Sequence, residues 1–462
     1  MFFARETELK QLEKLYARSG FQFVVVYGRR RIGKTTLLKE FCKNKPAAFF
    51  VAQDHSDAIN RRDFTQIVIN EFGSADMAIA NDWGAIFRHI AQIATTQRIV
   101  VVLDEFPYIC NSNQNILLIM QKAVDEYLCN TNLFLVISGS SVSFMENEVL
   151  AHKSPLFGRR TAAFQIKGFD YKQSSLFYPR FSNEDKVRAY AVVGGVPQYL
   201  QFFDDQLSFA DNVKENVINK ASYLLDEPKF LLRQELREPM MFNTVIEAIA
   251  GGATRLNEIA TKSGLANDAC STYLRSLIEM HIVLKEIPFA ESANSKRTRY
   301  KICDNIFRFW HRFVAKSYSL IEREAYDLVY DEYIEPHLNE FCGAVFEEVA
   351  IDYLHGLNIK KELPFIFTSI GRWWGANVVD RRQEEIDIVA SNANKEYLFC
   401  ECKWRNEKIG SRTLAVLEQR ASNFNATKSN FVLFAKTGFT EELIASAQSR
   451  ADVLLVELAD MF

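Results

Sequence analysis

The sequence holds little that would tie it to a membrane, a zinc scaffold or an oxidising compartment. No apolar run approaches the roughly 18 residues that a bilayer-crossing helix needs, and the N-terminus lacks the apolar core of a secretory leader. The eight cysteines contain no C-x-x-C pair and mostly lie in apolar runs, so they read as buried free thiols rather than disulfides or zinc ligands. The seven histidines form no H-x₃₋₅-H pair. Charge of one sign is missing too. Against 58 Asp and Glu stand 55 Lys and Arg, a net −3, so any nucleic-acid surface must be local. These absences predict a soluble, cytoplasmic chain without membrane contact. Its 462 residues suffice for about three domains, and a 48% hydrophobic share can fill real cores.

What is present centres on residues 21–40. Phe21 to Tyr27 is an apolar, β-branched run that predicts a strand buried on both faces. Gly28-Arg29-Arg30-Arg31-Ile32-Gly33-Lys34-Thr35 then fits G-x-x-x-x-G-K-[ST] without mismatch, and Leu37, Leu38 and Phe41 continue at helical spacing. Glycines let backbone N–H groups curl around a phosphate chain, and the helix N-terminus adds partial positive charge. Lys34 is expected to reach the terminal phosphates, the Thr35 hydroxyl to coordinate Mg²⁺, and Gly28 through Thr36 to hold ATP.

Strand-like runs recur at Ala47–Ala52, Arg98–Glu105, Leu133–Ser140 and Ala162–Phe169, separated by helical stretches. That alternation predicts a parallel sheet covered on both sides. Functional groups in such sheets sit at the carboxyl ends of strands, so Asp104 is expected to hold Mg²⁺ through water and Glu105 to orient the attacking water. Ser138 and Ser140 end the next strand, where a hydroxyl could sense the γ-phosphate. Arg159 and Arg160, in PLFGRR, are candidates to neutralise developing charge. Residues 170–225 read as helical, with a break at Gly194-Gly195-Val196-Pro197.

Residues 240–316 have the pattern of a winged helix: three helices (Asn243–Ala250, one starting near Ala253, and Asn267–Met280) and two strands around a polar turn. The segment carries 11 Lys and Arg against 7 Asp and Glu, a local +4. Asn267, Ser271, Thr272 and Arg275 would face a DNA groove, with Lys296, Arg297 and Arg299 on phosphates. FRFWHRFV (307–314) reads as an aromatic hinge packed on the last domain. From about 335 a helix containing Glu347 leads into strands around Arg372–Asn377, Glu385–Ala390 and Tyr397–Lys403. On a strand, i and i+2 share a face, so Glu401 and Lys403 point together while Asp387 sits on the preceding strand. Asp387 and Glu401 would hold a Mg²⁺ that activates water against a phosphodiester. Lys403 would stabilise charge, and Glu347 would complete the metal shell.

FARETEL, YGRRRIGKTTLL, VVVLDEFPY, VISGSS, PLFGRR and GGVPQYL together resemble the archaeal-type P-loop ATPases, relatives of the AAA and signal-transduction (STAND) ATPases. The resemblance implies an extra strand between the loop strand and the Asp104 strand. It also implies an adenine contact near FARETEL and a helical lid whose Gly195-Val196-Pro197 turn touches adenine. Ala4 stands where that family usually has glycine, which implies a different path for the loop. In the family the basic residue after Phe-Gly is a suspected arginine finger, here Arg159 or Arg160. The last segment resembles the PD-(D/E)XK restriction-endonuclease-like domain, with Glu385-Ile386 where proline usually precedes the aspartate. The expected fold is an α/β P-loop ATPase core (1–168), helical lid (169–235), winged helix (236–316) and small α/β nuclease-like domain (335–462). The expected function is ATP hydrolysis controlling DNA binding and metal-dependent cleavage. A regulatory STAND-like switch with an inert C-terminal domain is the alternative. DNA is the expected partner, with a second copy of the chain or a regulatory protein as the others.

Overall fold

Alternate residues of the first strands point into opposite layers, and both layers are apolar. The structure is a computed structural model that describes residues 3–73, 82–292, 294–376 and 383–462. β1 (Gln22–Tyr27), β2 (Ala47–Val51), β3 (Ile99–Asp104), β4 (Leu133–Gly139) and β5 (Ala162–Gln165) form a parallel sheet ordered β2-β3-β4-β1-β5. Phe23, Val25, Val101, Leu103, Leu135 and Ile137 join one core with helices Trp83–Thr96 and Ile116–Glu126. Val24, Val26, Val100, Val102, Phe134 and Val136 join the other with helices Glu6–Tyr16 and Lys34–Cys42. Strands apolar on both faces need helices on both sides, which is why their sequences read as continuous hydrophobic runs. β4 lies between β1 and β3, so the expected extra strand is present. This order sets the carboxyl ends of β1, β3 and β4 side by side. β5 is shorter than the run Ala162–Phe169 predicts, ending at Gln165.

The chain divides into two compact units, Met1–Gly168 with Val196–Gln198, and Phe169–Gly195 with Tyr199–Phe462. The second unit opens with helices that include Asn183–Val193, Phe209–Asn216 and Glu227–Glu235. Helices Pro239–Ala250, Leu256–Ser263 and Asn267–Glu279 follow. Then come β6 (Val283–Glu286) and β7 (Arg299–Ile302), an antiparallel hairpin. In the aromatic segment, Phe309 and Phe313 pack on Phe341 with ring centroids 5.7 and 5.3 Å apart. Phe341 belongs to the long helix Glu335–Lys360, so the stripe is core, as its helical spacing implied.

The last sheet comprises β8 (Ser369–Ala376), β9 (Gln383–Ser391), β10 (Glu396–Lys403), β11 (Lys428–Ala435) and β12 (Val453–Glu457), ordered β12-β11-β10-β9-β8. β8, β9 and β10 pair antiparallel, whereas β10, β11 and β12 run parallel. Helices Ser411–Ala421 and Glu441–Gln448 supply the crossovers that parallel strands require. Asn377, expected in the first of these strands, lies outside the described residues. Among the described residues no helix is long and apolar enough to cross a membrane. The cysteines are free thiols, most of them buried, although Cys129 is exposed.

Candidate functional site

The phosphate loop links the carboxyl end of β1 to the helix beginning at Lys34. Gly28 is required by a neighbour: a Cβ there would stand 2.2 Å from the carbonyl oxygen of Ile166. Gly33 takes φ +89 at the N-cap, and Arg31 takes φ +68, so the loop turns through the left-handed region. The buried Lys34 ammonium donates to the carbonyl oxygens of Gly28 (2.8 Å) and Arg29 (3.0 Å), folded back over the loop. Arg30 donates to the Tyr108 hydroxyl at 3.0 Å. Thr35 and Thr36 open the helix, Thr36 being exposed.

Beside the loop, Asp104 is fully buried and collects hydrogen bonds. The Thr35 hydroxyl donates to its Oδ2 at 2.6 Å; the Ser138 hydroxyl and the Glu105 backbone N–H donate to its Oδ1 at 2.5 and 3.1 Å. Glu105 sits at φ +52, a conformation unfavourable without glycine, at the N-cap of helix Phe106–Ser112. Its Oε2 accepts from the Ser140 hydroxyl at 2.7 Å. Ser138 and Ser140 therefore hold one acid each. Sequence placed both hydroxyls at this end of the sheet but could not assign them to those carboxylates.

Two further groups converge on the loop. A Cβ on Gly33 would lie 3.8 Å from Pro197 Cγ, so the Gly-x-Pro turn is brought to the phosphate loop. Arg5, which sequence reasoning passed over, is a buried guanidinium that donates to the carbonyls of Ile32 (3.2 Å) and Lys167 (2.5 Å) and pairs with Glu8 at 2.9 Å. Burial lowers its pKa, with Glu8 opposing that shift. The only hint was its place in FARETEL. Its neighbour Ala4 adopts φ +53, so alanine in place of glycine is carried as backbone strain.

Arg159 is placed differently from expectation. It binds both oxygens of Asp125 at 2.7 Å and the Pro155 carbonyl at 2.9 Å. That pairing raises the Arg159 pKa and lowers that of Asp125. Arg160 donates to the Leu150 carbonyl at 3.3 Å. The Arg159 guanidinium is held by local acceptors, because Asp125 on the helix Ile116–Glu126 offers a bidentate carboxylate.

In the last sheet, strand register brings Asp387, Glu401 and Lys403 together. Lys403 Nζ lies 2.6 Å from Glu401 Oε1 and 3.9 Å from Asp387 Oδ2. Asp387 also accepts from the Cys402 N–H at 2.9 Å, and Arg420 approaches Glu401 Oε2 at 3.2 Å. Burial, then the charge of Asp387, raises the Glu401 pKa; Lys403 and Arg420 oppose the shift. Glu347 is not drawn into this group as the metal set required. It pairs with Arg372, and among the described residues no three His, Cys, Asp or Glu side chains converge on one cation position. Glu347 and Asp387 do line a common cavity of about 220 Å³.

The basic residues of 240–316 also differ from expectation. Arg299 pairs with Glu385 at 2.6 Å, Arg297 with Glu291, and Lys301 with Glu286 at 2.7 Å. On the third helix, Thr272 borders a cleft that it shares with Glu235, Arg237 and Glu238, two acids against one base, which opposes an anionic backbone. The +4 count was right as a count, but these cations answer to carboxylates that sequence distance concealed.

Comparison with known proteins fits this geometry. Residues 2–203 match an ATPase domain found predominantly in Archaea, and residues 310–416 match a family of archaeal and bacterial proteins of unknown function. An uncharacterized protein of Methanocaldococcus jannaschii is 36% identical over 409 residues, covering 88% of each chain. An uncharacterized ATP-binding protein of Pyrococcus abyssi is 25% identical over 270 residues, 52% of this chain and 81% of that one. Among solved structures, a Walker-type ATPase of Pyrococcus abyssi superposes with a TM-score of 0.52 at 19% identity. It covers 67% of this chain and 96% of its own, a likeness of fold. With the phosphate loop, the Asp104–Glu105 pair and the 36% identical relative matched over 88% of both chains, the chain belongs to the archaeal P-loop ATPase family.

Proposed function

We propose that the chain binds and hydrolyses ATP–Mg²⁺ and that nucleotide state governs DNA binding and phosphodiester cleavage by its C-terminal domain. The units would be a core over 1–168, a lid over 169–235, a winged helix over 236–316 and a nuclease-like domain over 335–462. In the core, the Thr35 hydroxyl and Asp104 carboxylate, 2.6 Å apart, are hard oxygens of the kind Mg²⁺ takes. Mg²⁺ supplies charge neutralisation along the phosphates. Gly28 through Thr36 cradle the phosphates, and Lys34 exchanges its loop carbonyls for phosphate oxygens. Glu105 orients the water, and Pro197 with the FARETEL segment bounds the adenine.

The observation that carries cleavage is the Lys403 ammonium set between Glu401 and Asp387. Two carboxylates with a lysine suit Mg²⁺ and a developing phosphorane charge, and Mg²⁺ commonly binds through one or two carboxylates plus water. Asp387 and Glu401 would hold the ion, and Lys403 would stabilise charge on the phosphate. The test is purified protein with Mg²⁺ or Mn²⁺ on labelled DNA, with and without ATP, beside Lys34→Ala, Glu105→Gln and Asp387→Ala. Cleavage abolished in Asp387→Ala with ATP turnover kept, and cleavage that no longer responds to ATP in Lys34→Ala, support the assignment. Equal ATP affinity in wild type and Lys34→Ala defeats the nucleotide site.

A second reading, a regulatory switch with an inert C-terminal domain and a protein partner or second copy of the chain, draws on one observation. Arg372 already neutralises Glu347, and Lys403 and Arg420 already neutralise Glu401. Wild type that hydrolyses ATP but cuts no DNA and binds no Mn²⁺ at Asp387 would favour it.

A further inference from the structure

The cavity that contains Asp387 of β9 and Glu347 is also walled by Glu348 and Ile351 of the helix Glu335–Lys360 and by two further segments. Gly371, Arg372 and Trp374 come from β8, whereas Leu284, Ile287 and Lys301 come from the β6–β7 hairpin and its exit. At about 220 Å³ it is smaller than ordinary ligand pockets, which begin near roughly 300 Å³.

Phe289, just after β6, packs in the apolar core of the last sheet, and the fasteners of the hairpin itself are largely polar. Arg299 pairs with Glu385 of β9 at 2.6 Å and lies over the Trp374 ring at 4.6 Å. Arg297 donates to the Trp374 carbonyl at 3.3 Å, and the Trp374 indole N–H donates back to the Arg297 carbonyl at 3.2 Å. Lys301 lies 3.6 Å from Glu348, and the Phe289 N–H donates to the Arg372 carbonyl at 2.8 Å. Carboxylates and phosphates offer an arginine fork the same geometry, so a phosphate backbone is a direct competitor for these groups. The hairpin has only four residues in each strand, and two-stranded hairpins are marginal alone. The Glu385 side chain is 48% exposed, so its ion pair is screened and readily exchanged.

We propose that the β6–β7 hairpin is an internal latch over the Asp387 cavity, which a DNA backbone releases by taking Arg299 and its neighbours from their carboxylates. One movement then bares the cavity and frees the cations that hold the DNA. The inference rests on the DNA-directed reading above. It also gives the +4 segment a task consistent with its pairings to carboxylates.

Glu385→Gln in the full chain tests it, with titration of a short DNA duplex across salt concentrations and hydrogen exchange at Leu284–Glu286. The variant is expected to bind more tightly than wild type at low salt. Its log affinity should fall with log salt at about the wild-type slope, since Arg299 neutralises the same phosphate in both proteins. Hairpin amides should exchange faster, and adding Arg299→Gln should make the slope shallower by about one unit. Unchanged affinity with unchanged exchange, or no duplex binding by Glu385→Gln even at low salt, overturns the latch. Neither readout uses cleavage. Tighter binding by Glu385→Gln in protein that never cuts DNA leaves the latch standing and removes the nuclease. Cleavage unaffected by Glu385→Gln, with exchange unaltered, does the reverse.

Discussion

His311 sits in the aromatic segment after β7, 4% exposed, stacked on Phe307 and edge-on to Trp310 with ring centroids 6.5 and 4.8 Å away. Burial lowers its pKa from 6.5 to about 4. As pH falls past 6.5 the unfolded chain takes up a proton there, while the folded chain resists until about 4, so stability is lost as pH falls through that window. Linkage gives a loss of about 2 kcal/mol between pH 7 and pH 5 from this residue. Asp352 works against it. Burial, with the charges of Asp170 and Glu348, raises its pKa from 3.8 to about 6. The folded chain therefore takes up that proton first, and stability returns by about 1 kcal/mol over the same range. The wild-type profile alone is thus shallow. Urea denaturation of wild type and His311→Leu at pH 7 and pH 5 separates the two. The variant should lose about 2 kcal/mol less on acidification than wild type. Identical pH dependence in the two proteins would refute a neutral, buried His311.

Gly195→Ala would place a Cβ 1.8 Å from the carbonyl oxygen of Phe169, backbone that cannot yield as a side chain does. Thermal melting should show a loss of at least about 2 kcal/mol, and an unshifted melting temperature would refute the close approach. Ser140→Ala removes the 2.7 Å bond to Glu105, so steady-state ATPase should drop about tenfold while ATP affinity by calorimetry holds. Arg5→Gln breaks charge-assisted bonds to Ile32 and Lys167; it should cost about 2 kcal/mol in denaturant melts and weaken ATP binding. Asp387→Ala should abolish Mn²⁺ binding at the last sheet and leave ATP turnover within about twofold, since the phosphate loop belongs to the other compact unit.

Contiguous chemistry was legible from the sequence alone. The phosphate loop needs eight neighbouring residues in one order, and Asp104 with Glu105 needs only an apolar strand ending in two acids. The i, i+2 rule put Glu401 and Lys403 on one face, and strands apolar on both faces foretold helices on both sides. Pairings across long sequence separations were not legible, because charge carries no address. Arg159 as readily suits a phosphate as Asp125, Glu347 as readily a metal as Arg372, and Arg299 as readily DNA as Glu385. Arg5 escaped notice because its acceptors are backbone carbonyls, which every residue has. Local sequence determined what each segment could bind. Tertiary packing decided what it holds, since a buried or half-buried charge must find a partner and the fold chooses which one comes within reach.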